Sequence, residues 1–273
     1  LEGTYVDDFL QGEDGDDLLK GGQGNDGLYG GSGRDIIYGG SGNDYLYGDN
    51  QTSGVDDWAI DIQYTEDDYL YGGEGDDILD GVFGNDTLNG GPGNDILYGG
   101  DYGGNGNDTF IFERGGGHDI IYCGNNFYTP DYSSFYWNDI LQFGAGISPE
   151  DVSVSLGSSG SLIFRIMGTE DTVTVESGFQ LLFLSDGKFK FMTSIDVKFA
   201  DGTIWDDESL LNVIASDGTP GDDHISPLSS LANRYFASYF RDEVLNGFAG
   251  NDTLWGFTGN DILNAGAGTD ELY

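Results

Sequence analysis

The sequence predicts an all-β fold. Most of it is a parallel β-roll, a right-handed coil of 18 residues per turn, in blocks separated by a small β module. Three observations predict it. A nine-residue pattern of Gly, Asp and aliphatic residues recurs in phase; apolar alternation replaces it between about 124 and 216; and 48 glycines accompany a formal charge of −40.

Set Gly3 as position one and count in nines. Position six is then Asp8, Asp17, Asp26, Asp35 and Asp44, and position eight is Leu10, Leu19, Leu28, Ile37 and Leu46. An insertion over 48–62, with Trp58, interrupts the period, which resumes at Asp68, Asp77, Asp86 and Asp95. Looser copies carry Asp108, Asp119 and Asp139, and Asp252, Asp261 and Asp270 recover the period near the end, with Asp223 and Glu243 in degenerate copies. Glycines at positions one, two and four permit the positive φ angles of a tight turn. Positions seven to nine form a short strand whose eighth residue faces inward. One unit is half a coil, so turns alternate between two edges and residues 18 apart stack. Asp8, Asp26 and Asp44 line one edge, and Asp17 and Asp35 the other.

Stacked carboxylates need a counter-charge. The chain has 49 acidic and 9 basic residues, and no Lys or Arg lies between Arg34 and Arg114. A charge of this sign disfavours nucleic acid and anionic membranes as partners. Cys123 is the single cysteine, so no intrachain disulfide staples the fold. A divalent cation between turns meets the need. The donors are the position-six carboxylates together with turn carbonyls at position one (Gly21, Gly30, Gly39, Gly72, Gly90) and position three (Gln23, Ser32, Ser41, Glu74, Pro92). That all-oxygen set suits Ca²⁺, several ions in all. Zn²⁺ would want His or Cys, and His118, His224 and Cys123 are isolated.

The copies Gly30-Gly-Ser-Gly-Arg-Asp35-Ile-Ile-Tyr38, Gly39-Gly-Ser-Gly-Asn-Asp44-Tyr-Leu-Tyr47 and Gly90-Gly-Pro-Gly-Asn-Asp95-Ile-Leu-Tyr98 resemble the RTX, or haemolysin-type calcium-binding, nonapeptide. The resemblance implies a secreted or extracellular bacterial protein, possible to export by type I secretion while calcium is scarce and folded once outside. Strictness of phase places the best calcium sites at 3–47 and 63–99, weaker ones at 218–246, where Glu243 replaces Asp, and none across the middle. The chain ends inside a repeat with no visible signal peptide, so a piece of a longer protein is expected.

The domains expected are β-roll blocks over 1–123 (3–47 and 63–122), a β module over 124–216, and a second, truncated roll over 217–273. Within the module, Ile140–Phe143, Val152–Leu156, Leu162–Ile166, Thr172–Glu176 and Ile195–Phe199 read as strands, and Asp206 reads as the cap of a short helix. Asn138–Asp151 and Phe199–Trp205 resemble the haemolysin-type calcium-binding-related module. Phe179–Phe191 between them is longer and more apolar than that module implies. The structural reading is a small β unit that caps one roll and starts the next.

Positions seven and nine face out, which leaves Tyr29, Ile36, Tyr38, Tyr45, Tyr47, Tyr69, Tyr71 and Tyr98 on the surface. Two readings stay open: cross-strand stacking under cover, or a surface for self-association or for a glycan or protein ligand. The aromatic run Phe127–Trp137 divides the same way. Catalysis is not expected. His118 and His224 lie in turn-like segments, and Cys123 follows an apolar strand as a filler. No membrane span is expected either. The leading function is a structural or adhesive segment of a secreted or cell-surface protein, as in an adhesin, filament or surface layer. The alternative is the secretion and folding domain of a toxin or secreted enzyme.

Overall fold

The computed structural model describes residues 1–49, 67–100, 106–123, 139–156, 160–176, 179–183, 189–206, 209–210, 213, 224–225, 244–246, 249–254 and 262–273. Most of the 48–62 insertion, the 127–137 aromatic run, Asp223, Glu243 and Asp261 lie outside the described residues. The chain divides into two compact units, Leu1–Val152 with Leu156–Leu210, and Ser153–Ser155 with Leu211–Tyr273.

In the first unit the nonapeptides form β1 (Phe9–Asp14), β2 (Leu18–Gln23), β3 (Gly27–Ser32), β4 (Ile36–Ser41), β5 (Tyr45–Asp49), β6 (Tyr69–Glu74), β7 (Ile78–Asp80), β8 (Thr87–Asn89) and β9 (Ile96–Tyr98). β10 (Thr109–Phe112), β11 (His118–Tyr122) and β12 (Asp139–Phe143) follow. Odd strands stack in one sheet and even strands in the other, all parallel. Such alternation is what half a coil per repeat requires. The early strands are longer than expected: β1 to β4 and β6 run six residues, from position seven on through position three.

The side-chain pattern follows the expected period. Leu19, Leu28, Ile37, Leu46, Leu70, Leu79 and Leu88 are fully buried between the sheets, at 0% exposure. Outside, Tyr29 stacks on Tyr47, Tyr38 on Tyr71 and Tyr98 on Tyr122, with ring centroids 4.8–5.1 Å apart. Inserted residues leave the register intact. Ile37 pairs with Leu70 and Leu46 with Leu79 although 33 residues separate the stacked aspartates there. The insertion thus adds 15 residues to the spacing and nothing to the register.

The two sheets do not end where the nonapeptides end. β15 (Thr172–Glu176) joins β11 and β18 (Ile195–Lys198) joins β12, both parallel. β13 (Val152–Leu156) comes next in the chain after β12, and antiparallel strands follow the parallel ones: β14 (Leu162–Ile166) on β15, and β19 (Ile204–Trp205) on β18. The core changes from single leucines to rings. Phe143 meets Phe112 and Phe164 edge-on at 6.2 Å and stacks on Phe199 at 5.3 Å, and Trp205 meets Phe199 at 4.7 Å. The unexpectedly apolar stretch is an antiparallel pair, β16 (Phe179–Phe183) with β17 (Phe189–Thr193). Asp206 caps a helical turn, accepting hydrogen bonds from the Ser209 N–H and hydroxyl.

The second unit repeats the roll pattern in short strands. β20 (His224–Ile225), β22 (Thr253–Leu254) and β24 (Glu271–Leu272) form one parallel sheet, and β21 (Val244–Asn246) pairs with β23 (Ile262–Asn264). Leu254 is fully buried, with Leu263 packed on it.

Candidate metal centres

Each edge of the first roll carries a continuous column of aspartates. On one edge the Asp8 N–H donates to Asp26 Oδ1, Asp26 to Asp44, Asp44 to Asp77, Asp77 to Asp95 and Asp95 to Asp119, at 2.7–3.0 Å. On the other, Asp17 donates to Asp35, Asp35 to Asp68, Asp68 to Asp86, Asp86 to Asp108 and Asp108 to Asp139, at 2.7–2.9 Å. One carboxylate oxygen of each acceptor is therefore structural, closing the backbone of the turn before it.

The second oxygen is different. Oδ2 of Asp26, Asp44, Asp77, Asp86 and Asp95 is buried and accepts no hydrogen bond. A buried anionic oxygen without a partner is costly unless a cation meets it. Burial pushes carboxyls along both columns up: Asp44 to about 6, Asp77 and Asp95 to about 7, Asp108 and Asp119 to about 8, and Asp86 to about 9. Neighbouring carboxylates add to the shift, Asp108 on Asp86 most of all. Lys20, Arg34 and Arg114 are committed to Glu2, Asp67 and Asp151, none of them in the columns.

The glycines frame this space. Position-two and position-four glycines such as Gly22 (φ +113°) and Gly24 (φ +125°) take the left-handed backbone the turn was expected to need. Position one does not, and its requirement is room. A Cβ on Gly39 would run into Asp44 Oδ2 and the Gly72 carbonyl, and one on Gly21 into Asp26 Oδ2 and the Gly39 carbonyl. Carboxylate oxygen and position-one carbonyls thus converge on one spot per turn. At position three, the carbonyls of Ser32, Ser41, Glu74 and Pro92 accept the N–H of Gly15, Gly24, Gly42 and Gly75 at 2.6–3.0 Å. Each keeps a second lone pair. Among the described residues no three His, Cys, Asp or Glu side chains gather as a metal cluster. An ion between turns would therefore take much of its coordination from backbone carbonyls. The donors are all hard oxygens, so the residues present fit Ca²⁺.

The columns differ from the sequence reading at both ends. Asp8, half-buried, has its Oδ2 engaged by the Thr4 N–H and hydroxyl. Asp119 and Asp139, read in the sequence as looser copies but not counted among the ligands, occupy full steps of the columns. The Asp-x-aliphatic triplets Asp119-Ile-Ile and Asp139-Ile-Leu marked them, while their irregular spacing left their place in the columns open. A second, outer column at position five was missed entirely. There Asn25 donates to Asp7, Asn43 to Asn25, Asp76 to Asn43, Asn94 to Asp76 and His118 to Asn94. In the second unit the Asp252 N–H donates to Asp270 Oδ1 at 3.0 Å, the same step. Cys123 is half-buried beside Asp139, and its thiol is raised well above its usual range by burial first.

Comparison with known proteins agrees with this geometry. The profile of the RTX calcium-binding nonapeptide repeat matches residues 2–36, 28–52, 65–88, 71–101 and 240–272. That of the haemolysin-type calcium binding protein related domain matches 162–209. No curated protein matches. Among solved structures, the extracellular lipase LipA from Serratia marcescens is similar at 20% identity over 68% of this chain, with a TM-score of 0.29. The match spans 38% of the lipase chain. The repeats bind calcium, several ions along the roll. The chain carries RTX calcium-binding nonapeptide repeats in blocks on either side of a haemolysin-type calcium binding protein related domain.

Proposed function

We propose that this chain is a non-catalytic, structural or adhesive segment of a secreted or surface-attached protein, and that calcium folds it after export. The observation that carries the reading is the pair of aspartate columns with buried Oδ2 atoms that accept no hydrogen bond on Asp26, Asp44, Asp77, Asp86 and Asp95. Asp26, Asp35, Asp44, Asp68, Asp77, Asp86, Asp95 and Asp108 would hold the ions, with the position-one and position-three carbonyls. Bound calcium supplies positive charge between turns. The chain's own residues supply the frame: glycines that leave room, leucines that hold the sheets together, and N–H groups that fix each carboxylate.

Extracellular calcium modules bind with Kd near 10⁻⁴ to 10⁻³ M. At ~0.1 mM Kd and ~2 mM calcium, one site contributes about 1.8 kcal/mol, and at cytosolic calcium almost nothing. Several such sites span the range between an unfolded and a folded domain. RTX-repeat proteins are generally secreted, which supports the extracellular reading. Among the described residues no helix is long and apolar enough to cross a membrane. The outward Tyr38, Tyr45 and Tyr69, all exposed, support a contact role. A calcium titration followed by circular dichroism tests the switch, and β signal that persists in full under excess chelator would refute it. Sedimentation with and without calcium tests self-association, and a monomer that binds no glycan or protein surface removes the adhesive part.

A further inference from the structure

The aspartate columns stop at a definite place. Asp119 pairs in register with Val173 of β15, and Asp139 with Ile195 of β18. Those next steps are buried aliphatics, at 0% and 1% exposure. The strands continue in the same two sheets while the charge does not. From this exchange we infer that the haemolysin-type calcium binding protein related domain, despite its name, is a metal-free end cap: a body that folds without calcium and closes the open end of the roll.

The argument has three parts. First, every inner step from Asp26 to Asp119 and from Asp35 to Asp139 buries a carboxylate, whereas Val173 and Ile195 bring no charge to neutralise. Second, the body has an apolar core of its own. Leu162, Phe164, Val173, Val175, Val197 and Phe199 are all buried. A roll step holds one position-eight aliphatic per strand, too little apolar surface to fold by itself. Third, the strands that follow are antiparallel, β14 on β15 and β19 on β18, so the parallel stacking of the roll stops at β15 and β18. Repeat arrays need such terminal units because each repeat is stabilised mainly by its neighbours. Asp171, the acidic residue just before β15, accepts a hydrogen bond from the Gly115 N–H at 2.8 Å. It thereby ties the cap to the last roll turn.

Hydrogen exchange on the whole chain, in calcium and in excess chelator, tests this directly. Amides of β14, β15 and β18 should keep about 100-fold slower exchange than those of β1 to β4 when calcium is removed. Loss of protection in β14, β15 and β18 together with β1 to β4 overturns the metal-free cap. Protection kept throughout supports the cap and instead refutes calcium-dependent folding of the roll, so the two claims fail separately. Ile195→Asp and Val173→Asp restore a carboxylate at each column's next step and should make β15 and β18 calcium-dependent in the same exchange measurement. Exchange in β15 and β18 that responds to calcium already in the unaltered chain overturns the proposal.

Discussion

The roll and the body that ends it share two sheets yet solve opposite problems. In the roll, Leu28 and Leu46 pair in register beside Asp26 and Asp44, so each apolar step is bought with a buried carboxylate. In the body, Val173 and Ile195 take the carboxylate's place, Val175 and Val197 continue the aliphatic column, and Phe164 and Phe199 add buried rings beside it. One region is conditional on an ion; the other is held by apolar packing. The contrast shows how a single sheet architecture can carry both a switch and a fixed end.

The largest effect that sharpens the contrast is chelation. Removing calcium should abolish the β signal of the roll, while the near-ultraviolet signal of the ring cluster around Phe199 and Trp205 survives. Next comes Phe164→Ala in β14. It removes a fully buried ring that meets Phe143 edge-on and should cost about 3–5 kcal/mol in urea unfolding, by a similar amount with or without calcium.

A matched glycine pair separates backbone strain from crowding. Gly40 (φ +122°) and Gly146 (φ +92°) both have left-handed backbone, but a Cβ on Gly40 meets the Gly22 backbone and one on Gly146 meets nothing within 4 Å. Gly146→Ala should cost about 1–2 kcal/mol from conformation alone. Gly40→Ala adds overpacking of about 1–3 kcal/mol to the same penalty. Equal losses in thermal unfolding would mean that the turns are looser than described.

Asp77→Asn keeps Oδ1 as the acceptor for the Asp44 N–H and turns the buried Oδ2 into a neutral amide. It should lower stability in calcium by about 1–2 kcal/mol, roughly one site, and slightly raise it in chelator. Isothermal calorimetry would read the lost ion.

The pH dependence is the smallest and most specific effect. Burial raises the folded-state carboxyls of Asp44, Asp77, Asp95 and Asp86 to between about 6 and 9, above the unfolded value of 3.8. In chelator the folded roll therefore binds more protons than the unfolded chain. Its proton-linked stability is fully present below the unfolded value and is lost as pH rises through 6 to 9. Circular dichroism in chelator should gain β signal as pH falls from 9 to 5, whereas the ring cluster should not respond.

Much of the roll was legible because its period is strict. A fixed spacing of Asp and Leu sets the edge, the register and the inner face at once, and the 15-residue insertion could be subtracted without disturbing either. Where spacing drifts, as before Asp119 and Asp139, the period fails as a guide although the hydrogen-bond step is unchanged. The reason for glycine at position one was also illegible. It depends on where Asp44 Oδ2 and the Gly72 carbonyl converge, a distance between turns that no local pattern encodes. The 124–216 segment read as strands, but not as strands of the roll's own sheets. The pairings of Ile121 with Val175 and of Leu141 with Val197 join residues more than 50 apart with no repeat to set their register. The outer position-five column was hidden for another reason: its members vary between Asp and Asn, and only the bonds that Asp7 and Asn25 Oδ1 accept across turns reveal it.

Anomalous diffraction from a calcium-grown crystal of this chain tests the central claim most directly. The account predicts a row of calcium peaks on each edge, beside Oδ2 of Asp26, Asp44, Asp77 and Asp95 and of Asp86, and none beside Val173 or Ile195. Columns without peaks, with Oδ2 instead bonded to protein or water, would contradict it.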